Sequence, residues 1–329
     1  MGTDGLLQRI RSGRILGEVR LAAGFFLVLL IFNAILNPAR FAPASLLRTL
    51  GLVAPLILAA MAVTPAILSG RGGIDISIGP LMALINVIVV KVVLTDLGLT
   101  SPLVVVPVAL GLGLLSGFLN GFLAVVVRLQ PIVATLGTYL IYSGLAVWIM
   151  PSPGGTVPQW MSNLSKAWSL IPVAAAFMVW LLLQRTPFYE QLMATGGDDR
   201  AAFTSGVQVK TVRWGAYVLT GLFAGFAALA LGALITSADP KVGPGYTLTA
   251  IAGAALGGVS LAGGVGGVIG ATLGAVDIFF LQSILTYFNI SPFALQIAFG
   301  VILVVALMLN SAETGKLIRR VRGVSPDAR

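Results

Sequence analysis

The chain has 329 residues, of which 57% are hydrophobic and only 9% are charged, and its mean hydropathy is +1.01. Such a chain cannot bury its apolar surface in water, so we expect a membrane protein. It contains no Cys and no His, which excludes disulfides, thiolate nucleophiles, imidazole bases and Cys/His metal sites. The net charge of +9 does not indicate nucleic-acid binding, because the basic residues gather beside the apolar segments.

Apolar segments of roughly the 20 residues that cross a bilayer recur along the chain. The ten predicted spans lie near 21–36, 46–69, 74–94, 103–127, 132–150, 170–184, 214–235, 248–259, 265–288 and 293–310. Glycines around the eighth and ninth segments make their ends ambiguous, so nine and eleven spans are alternatives. The pattern predicts an all-α, polytopic bundle of transmembrane helices.

Lys and Arg are concentrated in the segments that we predict to be cytosolic, as the positive-inside tendency requires. If the N-terminus is inside, 15 of the 20 basic residues fall on that side, which predicts that both termini are cytosolic. Residues 1–20 then form a basic cytosolic segment, 21–310 the transmembrane domain and 311–329 a basic cytosolic tail. The first apolar segment is interpreted as a retained anchor, because no small-residue cleavage site follows it.

Two rows of glycine at four-residue spacing occur five spans apart. They are Gly113, Gly117 and Gly121 in the fourth span, and Gly266, Gly270 and Gly274 in the ninth. Such rows let helix backbones pack closely. Because the two spans would run in opposite directions, the rows suit an inverted five-plus-five repeat. The alternative is that membrane helices are rich in glycine in general.

Two acidic residues fall within the predicted spans, where charge is costly. Asp75 and Ser77 belong to the segment Gly-Gly-Ile-Asp-Ile-Ser-Ile-Gly at 72–79. Asp75 could pair with Arg71, cap free backbone amides beside Ser77, or contact a solute. Asp277 lies deeper in its span without a basic neighbour in sequence, and we interpret it as facing a hydrated pathway.

Neutral polar side chains also occur within the spans, among them Asn120 and Gln282. Hydrogen bonds between helices account for most such residues. With two acids and almost no base in the spans, an uncharged polar solute fits better than an anion. The chain also lacks a Gly-x-x-x-x-Gly-Lys-Ser/Thr loop for ATP phosphates. We therefore expect no catalytic residue, no metal site and no cofactor in this chain.

The longest polar stretch is 185–213, on the predicted cytosolic side. Asp198 or Asp199 suits the N-cap of a short helix over 200–205, and Gly206 suits its left-handed C-terminal position. A helix shorter than about 12 residues is marginal in water by itself. Three small residues are interpreted as the surface that a partner's groove would clamp, with an ordinary surface helix as the alternative: Ala201, Ala202 and Ser205.

Three motifs together give the chain a resemblance to a known family. They are 72–79, Asn120-Gly121 leading through Arg128 to Ala-Thr-Leu-Gly-Thr at 134–138, and Gly-Gly-Asp-Asp-Arg-Ala-Ala-Phe-Thr-Ser-Gly-Val at 196–207. From about residue 50 to 310 the chain resembles the inner-membrane permease subunit of bacterial ABC importers for ribose and related monosaccharides. It departs from that family at Asp198, where Asn is usual, and at 277–283, where an Asn-Asn-Gly pattern is common.

The resemblance implies a multi-pass protein of the bacterial inner membrane that moves a monosaccharide by alternating access. It implies four partners: an ATP-binding cassette subunit, a second permease copy or paralogue, a periplasmic or lipid-anchored solute-binding protein, and membrane lipid. The binding protein would dock on the outer segments 151–168 and 237–247. The coupling contact would comprise Asp198, Ala201, Ala202, Ser205 and Gly206. The candidates for the translocation pathway are Asp75, Ser77, Asn120, Asp277 and Gln282.

The main alternative is an ion-coupled secondary transporter, in which Asp277 would carry the proton or cation and glycine-broken helices would form the site. It predicts uptake that needs an ion gradient and no ATPase. An intramembrane enzyme is disfavoured, because no convergent catalytic set is visible.

Overall fold

A computed structural model of the chain describes residues 14–291 together with 294, 297, 300 and 301. In this part of the chain the backbone forms helices joined by turns, and no β-strand occurs. Two backbone hydrogen bonds between Gly154 and Ala238, of 3.0 and 2.9 Å, make an isolated antiparallel bridge between two connecting segments. The predicted all-α class is confirmed for the described residues.

The helices alternate with short connections. In chain order they are α1 (Arg14–Leu36), α2 (Pro43–Leu68), α3 (Ile78–Val87), α4 (Pro102–Gly121), α5 (Pro131–Ile149), α6 (Gln159–Asn163), α7 (Leu170–Gln184), α8 (Pro187–Gly197), α9 (Asp199–Thr204), α10 (Val209–Ile235), α11 (Pro244–Leu256) and α12 (Val268–Tyr287). A 3₁₀ turn, Pro38–Phe41, joins α1 to α2, and α3 and α4 continue as π-helices over Ile88–Asp96 and Phe122–Val126. Five of these α-helices begin with proline, a residue that fits there because the first backbone N–H has no partner within the helix.

Six of the described helices are long and apolar enough to cross a membrane: α2, α3 and α4 with their π-helical extensions, α5, α10 and α12. A seventh span results if α7 and α8, which meet at 82°, are counted together. The apolar part of α1, Ala22–Leu36, is shorter than a span. Most of the predicted span 293–310 lies outside the described residues, as do the tail 311–329 and most of the segment 1–20. Ten spans and cytosolic termini therefore stay predictions.

Helices α2 and α10 pack against each other at the centre of the bundle. In the most apolar stretch of each helix, 89% of the residues are buried in α2, whereas only 28% are buried in α4 and 28% in α5. The outward faces of α4 and α5 carry large apolar side chains such as Leu115 and Leu140. In a bilayer such faces contact lipid or another chain.

Both predicted glycine rows include close helix contacts, but the two rows face different partners. A Cβ on Gly113 of α4 would overlap the carbonyl oxygen of Gly221 on α10. A Cβ on Gly274 of α12 would overlap the carbonyl oxygen of Gly253 on α11. Gly266 precedes α12 and lies in the loop before it. Close backbone packing is thus observed, whereas the inverted repeat stays a prediction.

Helices α3 and α11 begin at the same place inside the bundle. Gly79 in the first turn of α3 packs against the backbone of Gly243, which immediately precedes α11. The hydroxyl of Thr247 accepts a hydrogen bond from the Gly79 amide (3.1 Å) and donates one to the carbonyl of Ile76 (3.2 Å). Glycine at both positions permits this contact between two backbones, because neither carries a side chain.

The helices that meet at this contact have other boundaries than the predicted ones. The third predicted span becomes helical at Ile78 instead of 74, and the eighth occupies Pro244–Leu256 instead of 248–259. The segment 237–247 was expected to be an outer loop, but from Pro244 onward it belongs to α11, and Gly243 and Thr247 are buried.

Candidate functional site

The polar stretch 185–213 folds into the two short helices α8 and α9. Between them Asp198 has an extended backbone, and its Oδ1 accepts hydrogen bonds from the amides of Arg200 and Ala201, both at 3.0 Å. Asp198 is therefore the N-cap of α9, which was one of the two predicted caps. Gly206 follows the helix with a φ of +86°, in the left-handed region as predicted.

The exposed surface of α9 differs from the predicted one at Ala202. This side chain is only 5% exposed, because a one-turn helix lying on the bundle buries one of its faces. Ala201 and Ser205 are exposed, as expected. Sequence reasoning missed Phe203, which is 71% exposed; the available signal was that it is the one aromatic residue of the motif 196–207. A partner that reaches α9 would meet Ala201, Phe203 and Ser205.

Asp199 joins α9 to two other parts of the bundle. Its Oδ2 pairs with Nε of Arg71 in the loop after α2, and lies 3.6 Å from Nη2 of Arg213 on α10. Arg213 also donates two hydrogen bonds of 3.3 Å to the carbonyl of Ser69. The predicted alternative of an Arg71–Asp75 pair is wrong. Arg71 has a left-handed backbone, with φ +53°, and its side chain pairs with Asp199 instead.

A cleft of about 650 Å³ lies beside α9. Its charged lining comprises four basic residues and one acid: Arg71, Arg200, Lys210, Arg213 and Asp199. The exposed ring of Phe203 also lines it. A basic surface with an apolar anchor suits an acidic protein surface rather than another basic one.

Three backbone segments meet directly behind α9 at four glycines. A Cβ on Gly196, at the end of α8, would overlap the carbonyl oxygen of Leu68 at the end of α2. A Cβ on Gly263, in the loop between α11 and α12, would overlap the backbone of Gly70. The amide of Gly264 in the same loop donates a 3.1 Å hydrogen bond to the Leu68 carbonyl. We call this contact of Leu68, Gly70, Gly196, Gly263 and Gly264 the glycine junction.

Asp75, Ser77 and Asn120, three predicted pathway residues, form one buried network. Oδ1 of Asp75 accepts hydrogen bonds from the Ser77 amide (2.9 Å) and hydroxyl (2.6 Å). Nδ2 of Asn120 on α4 donates to Oδ2 of Asp75 (3.0 Å) and to the Ser77 hydroxyl (2.9 Å). In the described residues no Lys or Arg pairs with Asp75. Asp75 thus accepts from a backbone amide, as the capping alternative expects, and Asn120 holds the loop against α4, whereas contact with a solute stays a prediction.

Asp277 and Gln282, the other two candidates, lie on different sides of α12. Five residues of an α-helix turn the chain so that the two side chains point roughly 140° apart. Asp277 is buried, and neither carboxylate oxygen has a hydrogen-bond partner in the described residues. Gln282 instead lines a cavity of about 210 Å³ between α2, α11 and α12. Asp277 lines neither this cavity nor the cleft beside α9.

Within the described residues no group of three or more His, Cys, Asp or Glu is placed to hold a metal ion. The polar side chains considered above instead cap backbone amides, join helices to one another and line the two cavities.

Comparison with known proteins decides the family. Residues 45–310 match the model of a family described as the permease component of the branched-chain amino acid transport system. The chain belongs to this permease family. The permease is 32% identical over 323 residues to the ribose import permease protein RbsC of Bacillus subtilis strain 168, which covers 94% of this chain and 95% of that protein.

Other relatives of the permease carry related names. RbsC of Escherichia coli K12 is 30% identical over 299 residues, covering 87% of this chain and 92% of that protein. The autoinducer 2 import system permease protein LsrC of E. coli K12 / DH10B is 32% identical over 277 residues, covering 81% of this chain and 79% of that protein. No solved structure matches the chain. The resemblance predicted from the three motifs is confirmed, and the permease is a multi-pass membrane transport protein, whereas the roles of single residues stay predictions.

Proposed function

We propose that this permease is the membrane-spanning subunit of an ATP-driven importer that moves a monosaccharide across the bacterial inner membrane by alternating access. The observation that carries the proposal is the exposed helix α9, which is tied through Asp199 to Arg213 on the membrane helix α10, in a chain without a phosphate-binding loop. ATP hydrolysis then belongs to a separate ATP-binding cassette subunit that pushes on α9. No reaction takes place in this chain.

The solute follows from the chemistry of the interior and from the relatives. The family description names branched-chain amino acids, whereas the relatives are named for the import of ribose and of autoinducer 2. An amino acid is a zwitterion, and burying its two charges requires charged or strongly polar partners. The described residues that line the cavity beside Gln282 all have neutral side chains. A neutral monosaccharide fits these surroundings better than an amino acid does.

The proposal includes the arrangement of the assembly. Two permease chains, copies or paralogues, would share the membrane and its lipid, with ten spans each and both termini in the cytosol. A periplasmic or lipid-anchored binding protein would dock near the bridge between Gly154 and Ala238. An inverted repeat is supported by the meeting of α3 and α11 at Gly79 and Gly243, since they correspond to predicted spans three and eight.

Cross-linking from α9 tests the proposed partner. Because the chain has no cysteine, Ser205→Cys introduces a single thiol on the exposed side of α9. We expect cross-linking in native membranes to attach an ATP-binding cassette subunit, identified by mass spectrometry. Leu140→Cys on the outward face of α5 is the matched control and is expected to give no such adduct. Active uptake without any ATPase adduct at Ser205→Cys would contradict the proposal.

The ion-coupled alternative is favoured by one observation, the buried carboxylate of Asp277, which has no hydrogen-bond partner among the described residues. If ATP drives transport, Asp277→Asn is expected to retain uptake, because the neutral amide does not have to be charged at any step. Uptake is measured in ATP-loaded vesicles with and without an ionophore, and Asp96→Asn serves as a half-exposed acidic control. Loss of uptake in Asp277→Asn together with ionophore-sensitive uptake by the wild type would establish ion coupling instead.

A further inference from the structure

The cavity that contains Gln282 lies in the half of the bundle remote from α9. Two of its lining residues, Leu56 and Leu52, precede Leu68 by 12 and 16 residues on α2. At 1.5 Å per residue they lie about 18 to 24 Å along the helix from the glycine junction. The cavity thus sits deep inside the membrane region and away from the coupling surface.

Three polar groups in the lining have hydrogen-bonding capacity that the described residues do not use. The side-chain amide of Gln282 and the hydroxyl of Tyr246 make no hydrogen bond to another described residue. The hydroxyl of Thr249 donates to the carbonyl of Gly245 at 2.8 Å, which leaves its lone pairs free to accept. An amide and two hydroxyls supply both donors and acceptors, which is what a ligand rich in hydroxyl groups requires.

The rest of the lining is apolar and aromatic. The rings of Phe279 and Tyr246 and the aliphatic side chains of Leu52 and Leu56 form its walls. The guanidinium of Arg40 lies 5.8 Å from the centroid of the Phe279 ring, and its Nη1 donates to the Ser283 hydroxyl. Phe279 is therefore held in place from outside the cavity, while the lining residues in the described part of the chain include none with a charged side chain.

The backbone beside the cavity has the form expected of a membrane binding site. Between α10 and α11 the chain is non-helical and then enters the bundle, where Gly243 is buried against Gly79. Val242 and Gly245, on either side of Gly243, line the cavity. Non-helical backbone at membrane depth is tolerated where it is buried in protein or lines a cavity, and broken helices form the sites of many transporters.

We propose that this cavity is a binding site for the transported solute, a neutral polyhydroxylated molecule of the size of one monosaccharide. The proposal rests on the proposed function and names its site. Gln282, Tyr246 and Thr249 hydrogen-bond the hydroxyl groups, and Phe279 packs on the face of the sugar ring. The cavity of about 210 Å³ is smaller than the roughly 300–1,000 Å³ of sites for drug-sized ligands, so its size matches a single sugar unit better than a disaccharide.

Uptake kinetics of the complete importer in cells test this site. The probe is radiolabelled D-ribose, the solute in the names of two relatives, and other monosaccharides and a disaccharide are added as competitors. Gln282→Leu and Tyr246→Phe are each expected to raise KM about two- to tenfold, the range for one or two lost neutral hydrogen bonds. Thr286→Val, one turn further along α12 and outside the cavity lining, is the control and is expected to keep the wild-type KM.

A second measurement reports on binding directly. Gln282→Cys introduces the only thiol in the chain, and its reaction with a small membrane-impermeant maleimide added from outside is expected to slow when the transported sugar is present. Tyr246→Phe removes only a hydroxyl and keeps the proposal testable if Gln282→Leu does not insert. The disaccharide is expected to leave both uptake and labelling unchanged.

The outcomes separate the site from the function. If the wild type takes up a monosaccharide but Gln282→Leu and Tyr246→Phe keep its KM and the sugar does not protect Gln282→Cys, the site is wrong and the proposed function stands. If the wild type takes up no monosaccharide, both proposals fail. Raised KM values in the two variants, a normal Thr286→Val and protection by the sugar establish the site.

Discussion

A Gly196→Ala variant is expected to yield only a small fraction of the wild-type amount of folded protein. The added methyl group would overlap the carbonyl oxygen of Leu68 and approach the amide nitrogen of Gly264. Both are backbone atoms in the glycine junction, so neither can rotate away as a side chain would. Overpacking costs about 1–3 kcal/mol even where side chains can adjust, which is a large part of the roughly 5–15 kcal/mol that stabilises a folded domain.

Gly197→Ala is the matched control, because a Cβ at that position meets nothing within 4 Å. Both variants add one methyl group at the end of the same helix, so helix propensity affects them alike. The measurement is the yield of monodisperse protein on size-exclusion chromatography in detergent, together with its thermal aggregation midpoint. Equal yields and midpoints for the two variants would show that the three segments do not meet as described.

An Asp199→Asn variant is expected to insert and fold normally but to take up solute about tenfold more slowly, the equivalent of 1.4 kcal/mol. The Arg71 side chain is 64% exposed and its pair with Asp199 contributes little, since exposed ion pairs are worth about 0–1 kcal/mol. The side chains of Arg213 and Asp199 are only 13% and 18% exposed. Their pair links α9 to α10, and coupling between sites typically amounts to about 1–3 kcal/mol.

The uptake rate and the ATP hydrolysed per solute molecule are measured in the reconstituted importer. Glu190→Gln removes the same charge from an exposed position on α8 and is expected to keep both values. The diagnostic result for Asp199→Asn is continued ATP hydrolysis with little uptake. Unchanged uptake in this variant would remove Asp199 from the path between α9 and the membrane helices.

Local sequence patterns predicted the short helix α9 well. The N-cap at Asp198 and the left-handed residue at Gly206 depend on atoms within a few residues of each other, and such patterns are visible in any sequence. The partner of Arg71 was not predictable in this way. Asp199 lies 128 residues further along the chain, and only the folded arrangement of α2, α8 and α10 brings the two charges together.

The depth at which a helix begins is another feature that composition does not reveal. Hydropathy placed the start of the eighth span at 248, but Gly243 and Thr247 are interior because Gly79 leaves room for a second backbone. Composition also does not reveal which of the pathway candidates on α12 lines a cavity. Asp277 and Gln282 are both polar residues of α12, and only their angular positions distinguish the one that lines a cavity.

The meeting of α3 and α11 also places the partial charges of two helix ends beside each other inside the permease. Each helix presents its N-terminal end there, which carries about half a positive elementary charge. Two such ends together are equivalent to about one positive charge, and the side-chain oxygens of Asp75 lie beside the start of α3. An ion that enters a buried region loses its hydration, a cost on the order of 20 kcal/mol in the idealised case. A neutral solute does not bear this cost, which is the physical reason that the proposed function assigns an uncharged solute to this permease.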